Sequence, residues 1–330
     1  MTEYSNSNEV LQEAKKRFSR LGIATLAVIG ITTVIQLFLL YLLNSVWPKA
    51  LHHSWGTWLI SFLPLYLIAV PIGLLILRKA PAKPPEKRTL KLSVYLAIAI
   101  ISIFLMYAGN TIGVIVNAIL QLLSGVAIEN PILEYATDTE LPAKVLFMVI
   151  LAPVIEEYFF RKQLIDRMHP YGEKLSIVVS ALIFGLIHGN LSQLFYAFAL
   201  GLSFGYVYLK TGRLRYSIGL HMLINLMGGV IAPFLLEKIT PLLSTESTDL
   251  EILMPYLPWL LVYGAYVLAL LGISVLGLIL LCIYAPRLSF ASAVLELPKG
   301  ERIKTVFLNA GMILLGIGCL ALIVFNVIPA

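Results

Sequence analysis

Apolar residues run along this chain in long uninterrupted stretches instead of alternating or recurring on one helical face. A helix needs about 20 such residues to cross a hydrocarbon core of about 30 Å. Stretches of that kind fall near 21–43, 58–77, 92–112, 143–160, 175–190, 194–209, 216–235, 256–284 and 305–327. The pattern predicts an all-α polytopic membrane protein, a bundle of about eight to nine transmembrane helices. The run 113–125 (GVIVNAILQLLSG) either continues the third span or returns as an interfacial half-helix.

Composition agrees: of 330 residues, 59% are hydrophobic and 13% charged, where soluble domains carry about 25% charged residues. Mean hydropathy is +0.90, and no stretch remains for a separate soluble domain of about 100 residues. The two cysteines, Cys282 and Cys319, sit in apolar runs and offer neither a disulfide framework nor a Cys-rich metal site. No internal repeat is evident, which counts against an inverted-repeat transporter.

The net charge of +6 raises the question of nucleic acid, and its distribution answers it. With a cytoplasmic N-terminus, segments 1–20, 78–91, 161–174, 210–215 and 284–304 share one side and carry 4, 6, 4, 3 and 4 Lys and Arg, which is 21 of the 24. The other side keeps Lys49, Lys144 and Lys238 and an acidic stretch at 127–141. This is the positive-inside pattern of a multi-pass protein of the cell (plasma) membrane. The excess charge then faces the lipid bilayer's anionic headgroups, and no nucleic-acid partner is needed. Residues 1–20, with Lys15, Lys16, Arg17 and Arg20, precede an apolar run without a small-residue cleavage site, so a retained span is expected, not a signal peptide. The Pro-rich basic segment 78–88 reads as an extended linker.

An ionisable side chain in hydrocarbon costs several kcal/mol unless it is paired or faces a cavity, so the polar residues inside spans are where chemistry is expected. Glu156 and Glu157 lie late in the fourth span, Phe184 and His188 end the fifth, and His221 and Asn225 lie early in the seventh. Positions four apart share a helical face, so Glu157 can pair with Arg161, which leaves Glu156 pointing elsewhere as a candidate base. His221 and Asn225 present one donor and acceptor face, and Phe184 packs beside His188. Pro153 should kink the fourth span and free a carbonyl near Val149, tolerable where protein or water replaces lipid. His188 sits at the far end of its span, and meeting the others requires a helix that is short, tilted or shifted in register. The residues alone leave other readings open: a carboxylate pair marking the interface, an interfacial histidine at a turn, and His221–Asn225 as interhelical glue. Tyr158, Phe159 and Phe160 suit a headgroup belt, and the glycines of GLSFG (201–205) suit helix packing.

Together the residues form three motifs: EExxxR at Glu156–Arg161, FxxxH at Phe184–His188 and HxxxN at His221–Asn225. In this order they resemble the CPBP family of intramembrane proteases, which includes the type II CAAX prenyl endopeptidases and the Abi or bacteriocin-processing proteins. The resemblance covers 142–235 as a catalytic core, between N-terminal helices in 21–141 with their basic linker 78–91, and C-terminal helices in 236–330. It implies a polar cavity open toward the cytoplasmic side and hydrolysis of a peptide bond without an acyl-enzyme. By the same resemblance, Glu156 with His188 activates water, His221 with Asn225 holds the oxyanion, and Glu157, Arg161 and Phe184 support the site. The partner is then a peptide or protein substrate at the membrane, prenylated or not. The rival is a non-proteolytic scaffold binding a partner in the same cavity; ion transport is weakest, since no relay of ionisable groups crosses the bilayer. No cofactor is required, although Glu156, His188 and His221 could supply the ligands of a metalloprotease zinc site. The lack of HExxH, and donors drawn from three helices, favour a metal-free mechanism.

Overall fold

A computed structural model describes residues 2–52, 54–125, 140–243, 253–293 and 295–327. The acidic stretch expected at 127–141 lies almost wholly outside the described residues. Those described are helical throughout apart from turns and linkers. Helix α1 spans Thr2–Val46, α2 Trp55–Leu77 and α3 Leu92–Ser124. The continuous helix α4 covers 141–168, followed by α5, Glu173–Leu186, and α6, Leu191–Thr211. Then come α7, Leu214–Leu242, α8, Leu257–Tyr284, the short α9, Arg302–Phe307, and α10, Ala310–Val327.

Seven of these, α1, α2, α3, α6, α7, α8 and α10, are long and apolar enough to cross a membrane. The protein is an integral membrane protein, an all-α polytopic bundle. The other two expected spans, α4 and α5, fall outside that description, one by charge and one by length. Helix α4 carries the site's charges, and α5 has only 14 residues, about 21 Å, too short to cross alone. That shortness sets His188 within the bundle. Large apolar side chains face outward along α1, α3, α8 and α10; on α8 only Leu270 and Gly277 are buried, as expected of a helix whose surroundings are lipid.

Three boundaries differ from the sequence pattern or resolve its alternatives. The run 113–125 continues α3 as one 33-residue helix. The last span is broken between Phe307 and Ala310: the Asn309 amide donates to the Thr305 and Val306 carbonyls and accepts from Met312 N at 3.0 Å, closing one helix and capping the next. The aromatic triplet is split as well. Phe159 and Phe160 are buried in the core and only Tyr158 is exposed, because the neighbouring Arg161 is itself buried instead of marking a boundary.

Packing falls into two main clusters. In one, α1, α2, α4, α5 and α10 meet through residues such as Phe18, Leu77, Phe160 and Ile183. In the other, α3, α6 and α7 meet through Ile103, Phe204 and Ile224. Between α5 and α6 contact is close: a Cβ on Gly201 would stand 2.8 Å from Ala181 Cα, so the small residue of GLSFG serves packing, as expected. The turn joining them has Gly189 at φ +66°, a conformation glycine adopts without strain. Asn326 of α10 donates to the Gly189 carbonyl at 2.9 Å.

Residues 81–91 are extended, as the prolines predict. They are tied across the basic end of the bundle: Lys83 N donates to the Asp166 carbonyl (2.7 Å) and Arg88 N to that of Thr211 (2.8 Å). Buried Arg167 donates from Nε to the Leu77 and Ala80 carbonyls, both at 3.1 Å.

Candidate active site

Helix α4 is unusually wound. Lys144–Leu151 and Glu157–Ile165 follow the wide i→i+5 pattern, with Ala152–Glu156 between them. Pro153 causes part of this, because it has no N–H to give. Since Ala152 N donates to Phe147 O, the carbonyl left over by Pro153 is that of Met148, one residue from the position expected. Asn225 Nδ2 supplies the missing donor at 2.8 Å. A third wide stretch, Met227–Ile231, begins two residues after Asn225. Such turns recur at functional sites, where they redirect side chains.

Glu156 and Glu157 diverge as helical geometry requires. Glu157 is fully buried and satisfied on both oxygens: Oε2 accepts from Arg161 Nε at 3.1 Å and Oε1 from His221 Nδ1 at 3.2 Å. Arg161, also fully buried, donates from Nη1 to Ser180 Oγ (3.2 Å), whose own hydroxyl donates to the Phe160 carbonyl (2.8 Å). Its Nη2 has no hydrogen-bond partner, and the guanidinium instead lies 4.5 Å over the Phe184 ring, a desolvated cation–π contact. Glu156 remains one-fifth exposed and meets one ion-pairing group, His221 Nε2 at 3.8 Å.

The imidazoles are oriented by groups that fix their protons. A carbonyl only accepts, so His188, with Nδ1 2.7 Å from the Phe184 carbonyl, carries hydrogen on Nδ1 and turns Nε2 away. By the same reasoning the Glu157 carboxylate takes the Nδ1 hydrogen of His221, and Nε2 of that ring faces Glu156. Phe184 meets both rings edge-on, at 5.0 Å for His188 and 5.8 Å for His221, and Phe204 closes the other side of His221 at 5.5 Å. His221 therefore sits at the seam between the two packing clusters.

Glu156, His188, His221 and Asn225 all line one cavity of about 370 Å3, with Phe184 in its wall. The cavity continues past Asn110 of α3 and Gly228 and Pro233 of α7, away from the basic end. Glu156 also borders a second cavity, of about 210 Å3, whose far wall is Thr32, Thr33 and Gln36 of α1. Among the described residues, no three His, Cys, Asp or Glu side chains are grouped so that they could hold a metal ion.

Several cavity residues escape sequence reasoning. Gln193 and Tyr196 of α6 line the wall, and Gln193 Oε1 accepts from Asn190 Nδ2 at 2.7 Å. Gln193 is legible as a polar residue at the mouth of an apolar run. Ser180 and the Met148 carbonyl carry no signal in the sequence, because their importance comes from which helices lie beside them.

Residues 138–227 match the family described as Type II CAAX prenyl endopeptidase Rce1-like. Over 212 residues the chain is 27% identical to the "Putative membrane peptidase YdiL" of Bacillus subtilis, covering 61% of this chain and 81% of that protein. Over 93 residues it is 33% identical to the "Membrane-embedded CAAX protease MroQ" of Staphylococcus aureus, covering 26% of this chain and 38% of that one. No solved structure matches. Residues 138–227 thus carry the pattern of an Rce1-like CAAX-protease domain, and the chain is similar to membrane proteins of that kind. Family and relatives together support a protease function within the membrane.

Proposed function

We propose that this protein is an integral plasma-membrane endopeptidase, its N-terminus cytoplasmic, that hydrolyses a peptide bond of a membrane-associated or peptide substrate. The observation that carries this reading is the common cavity of Glu156, His188, His221 and Asn225, in which Glu156, unlike Glu157, has no guanidinium held against it.

The chemistry needs no covalent acyl-enzyme. Glu156 takes a proton from a water held between its carboxylate and His188 Nε2, and the water oxygen attacks the scissile carbonyl. The resulting oxyanion is met by a protonated His221 Nε2 and by the second Nδ2 hydrogen of Asn225, the first being given to Met148. Collapse breaks the C–N bond, and Glu156 returns its proton to the leaving nitrogen. Glu157 and Arg161 touch no substrate; they position His221 and, through Phe184, His188.

The test compares membrane and secreted peptide termini by terminus-selective mass spectrometry, between cells carrying the protein and cells carrying Glu156→Gln at equal abundance. Termini seen only with the intact residue support proteolysis and name the substrate. Identical profiles, with the phenotype still rescued by the variant, would replace the protease with a scaffold binding a partner in the same cavity.

A further inference from the structure

A third hollow lies at the basic end of the bundle, among α1, the end of α2 and the start of α10, and encloses about 550 Å3. Lys15, Lys16 and Arg20 of α1 and Lys79, just past α2, all line it. Among the described residues none of these four cations forms an ion pair. The one acid in this part of α1 that does, Glu13, is held by Arg17 at 2.5 Å, and Arg20 donates instead to the Lys79 carbonyl at 2.5 Å. Four like charges gathered without a counter-charge repel one another and create a local positive potential that an anion relieves.

The hollow is built, not merely charged. Ser19 Oγ accepts from Gly311 N at 3.0 Å, and Asn309 caps Met312 N, so the start of α10 is fixed against α1. The approach is so close that a Cβ on Gly311 would fall 1.8 Å from the Ser19 carbonyl oxygen. The positive end of the α10 dipole, with Asn309 in the wall, therefore adds to the four cations. Ile23 also lines the hollow and is 43% exposed. It is the first outward-facing apolar residue after the charged residues of α1, so the hollow lies at the level where headgroup gives way to hydrocarbon.

We propose that this hollow binds the phosphate of an anionic phospholipid, with the acyl chains descending over Ile23. Lys15, Lys16, Arg20 and Lys79 supply charge-assisted donors to the phosphate oxygens, and the apolar rim distinguishes a lipid from a free phosphate. The site is separate from the catalytic cavity and does not depend on the chain being a protease.

The experiment is native mass spectrometry of the full chain, delipidated in detergent and titrated with phosphatidylglycerol, with phosphatidylcholine or with inorganic phosphate. One phosphatidylglycerol should bind at least about tenfold more tightly than phosphatidylcholine, and Lys15→Gln/Lys16→Gln/Arg20→Gln/Lys79→Gln should lose at least that factor. The charge-matched control Lys87→Gln/Lys91→Gln/Lys174→Gln/Lys299→Gln, at exposed positions elsewhere, should stay within about twofold of the unaltered protein. Should the fourfold variant fail to fold by circular dichroism, Lys15→Gln/Lys16→Gln, both exposed, carries the same test with a drop of about fivefold. Unchanged binding by the folded hollow variant, or an equal loss in the control, overturns the site. Displacement of the lipid by millimolar inorganic phosphate overturns the lipid as ligand in favour of a soluble anion.

Discussion

Asn225 donates its side-chain N–H to the Met148 carbonyl across 2.8 Å, and that carbonyl is the one Pro153 leaves unpaired in the wide turn of α4. The bond sets the second amide hydrogen of Asn225 in the cavity beside His221. Asn225→Ala should therefore lower turnover by about 10²–10³ and, by orphaning the carbonyl, lower stability by about 1–3 kcal/mol. Pro153→Ala, which restores an N–H able to compete for Met148 O, should reduce turnover while leaving the melting temperature in micelles unchanged or higher. Full activity in both variants would remove Asn225 from the mechanism.

The two adjacent glutamates should separate cleanly. Glu157→Gln leaves Arg161 charged in a fully buried place, which costs about 3–5 kcal/mol. Glu156→Gln breaks no close ion pair, its one contact of this kind being at 3.8 Å, and should melt within a few degrees of the unaltered protein while turnover is lost. Thermal unfolding by circular dichroism in detergent checks both. A Glu156→Gln protein that unfolds as readily as Glu157→Gln would make Glu156 a structural residue.

Much of this was readable in advance, because hydrocarbon constrains a sequence tightly. Apolar runs mark helices, and the i, i+4 spacing of Glu157 and Arg161 gives their pair and, by subtraction, the exposure of Glu156. The position of His188 called for a short, tilted or register-shifted helix, and α5 is short. What spacing could not supply are contacts between helices. Ser180 became a partner of Arg161 only once α5 lay against α4, and Phe160 seemed interfacial because the arginine next to it looked like a boundary. The break at Asn309 was hidden for a related reason: one polar residue in an apolar run reads as continuous helix until its amide is seen satisfying the backbone on both sides.

The linker 78–91 should be protected by one side chain. Arg167 Nε bonds both the Leu77 and Ala80 carbonyls, and Nη1 reaches Gln163 at 2.8 Å, so Arg167→Ala releases the start of the linker from α4. Trypsin should then cut the purified variant after Lys87 or Arg88 several-fold faster than the unaltered protein, with no loss of helix signal. Equal cleavage rates would mean that the bonds of Lys83 N and Arg88 N to the Asp166 and Thr211 carbonyls hold the linker without Arg167.

Chelation decides between the two ways of activating water. His188 and His221 have each committed Nδ1, to the Phe184 carbonyl and to Glu157, leaving one nitrogen apiece and the Glu156 carboxylate around the cavity. A zinc site needs these three donors to converge on one point about 2.0–2.2 Å from each, and among the described residues no three such side chains are disposed to do so. Purified protein should thus keep its activity after dialysis against EDTA and phenanthroline, on the substrate found by terminus mapping. Activity lost to chelators and restored by zinc would give the water's activation to a Lewis acid, and Glu156 would become a ligand instead of the base.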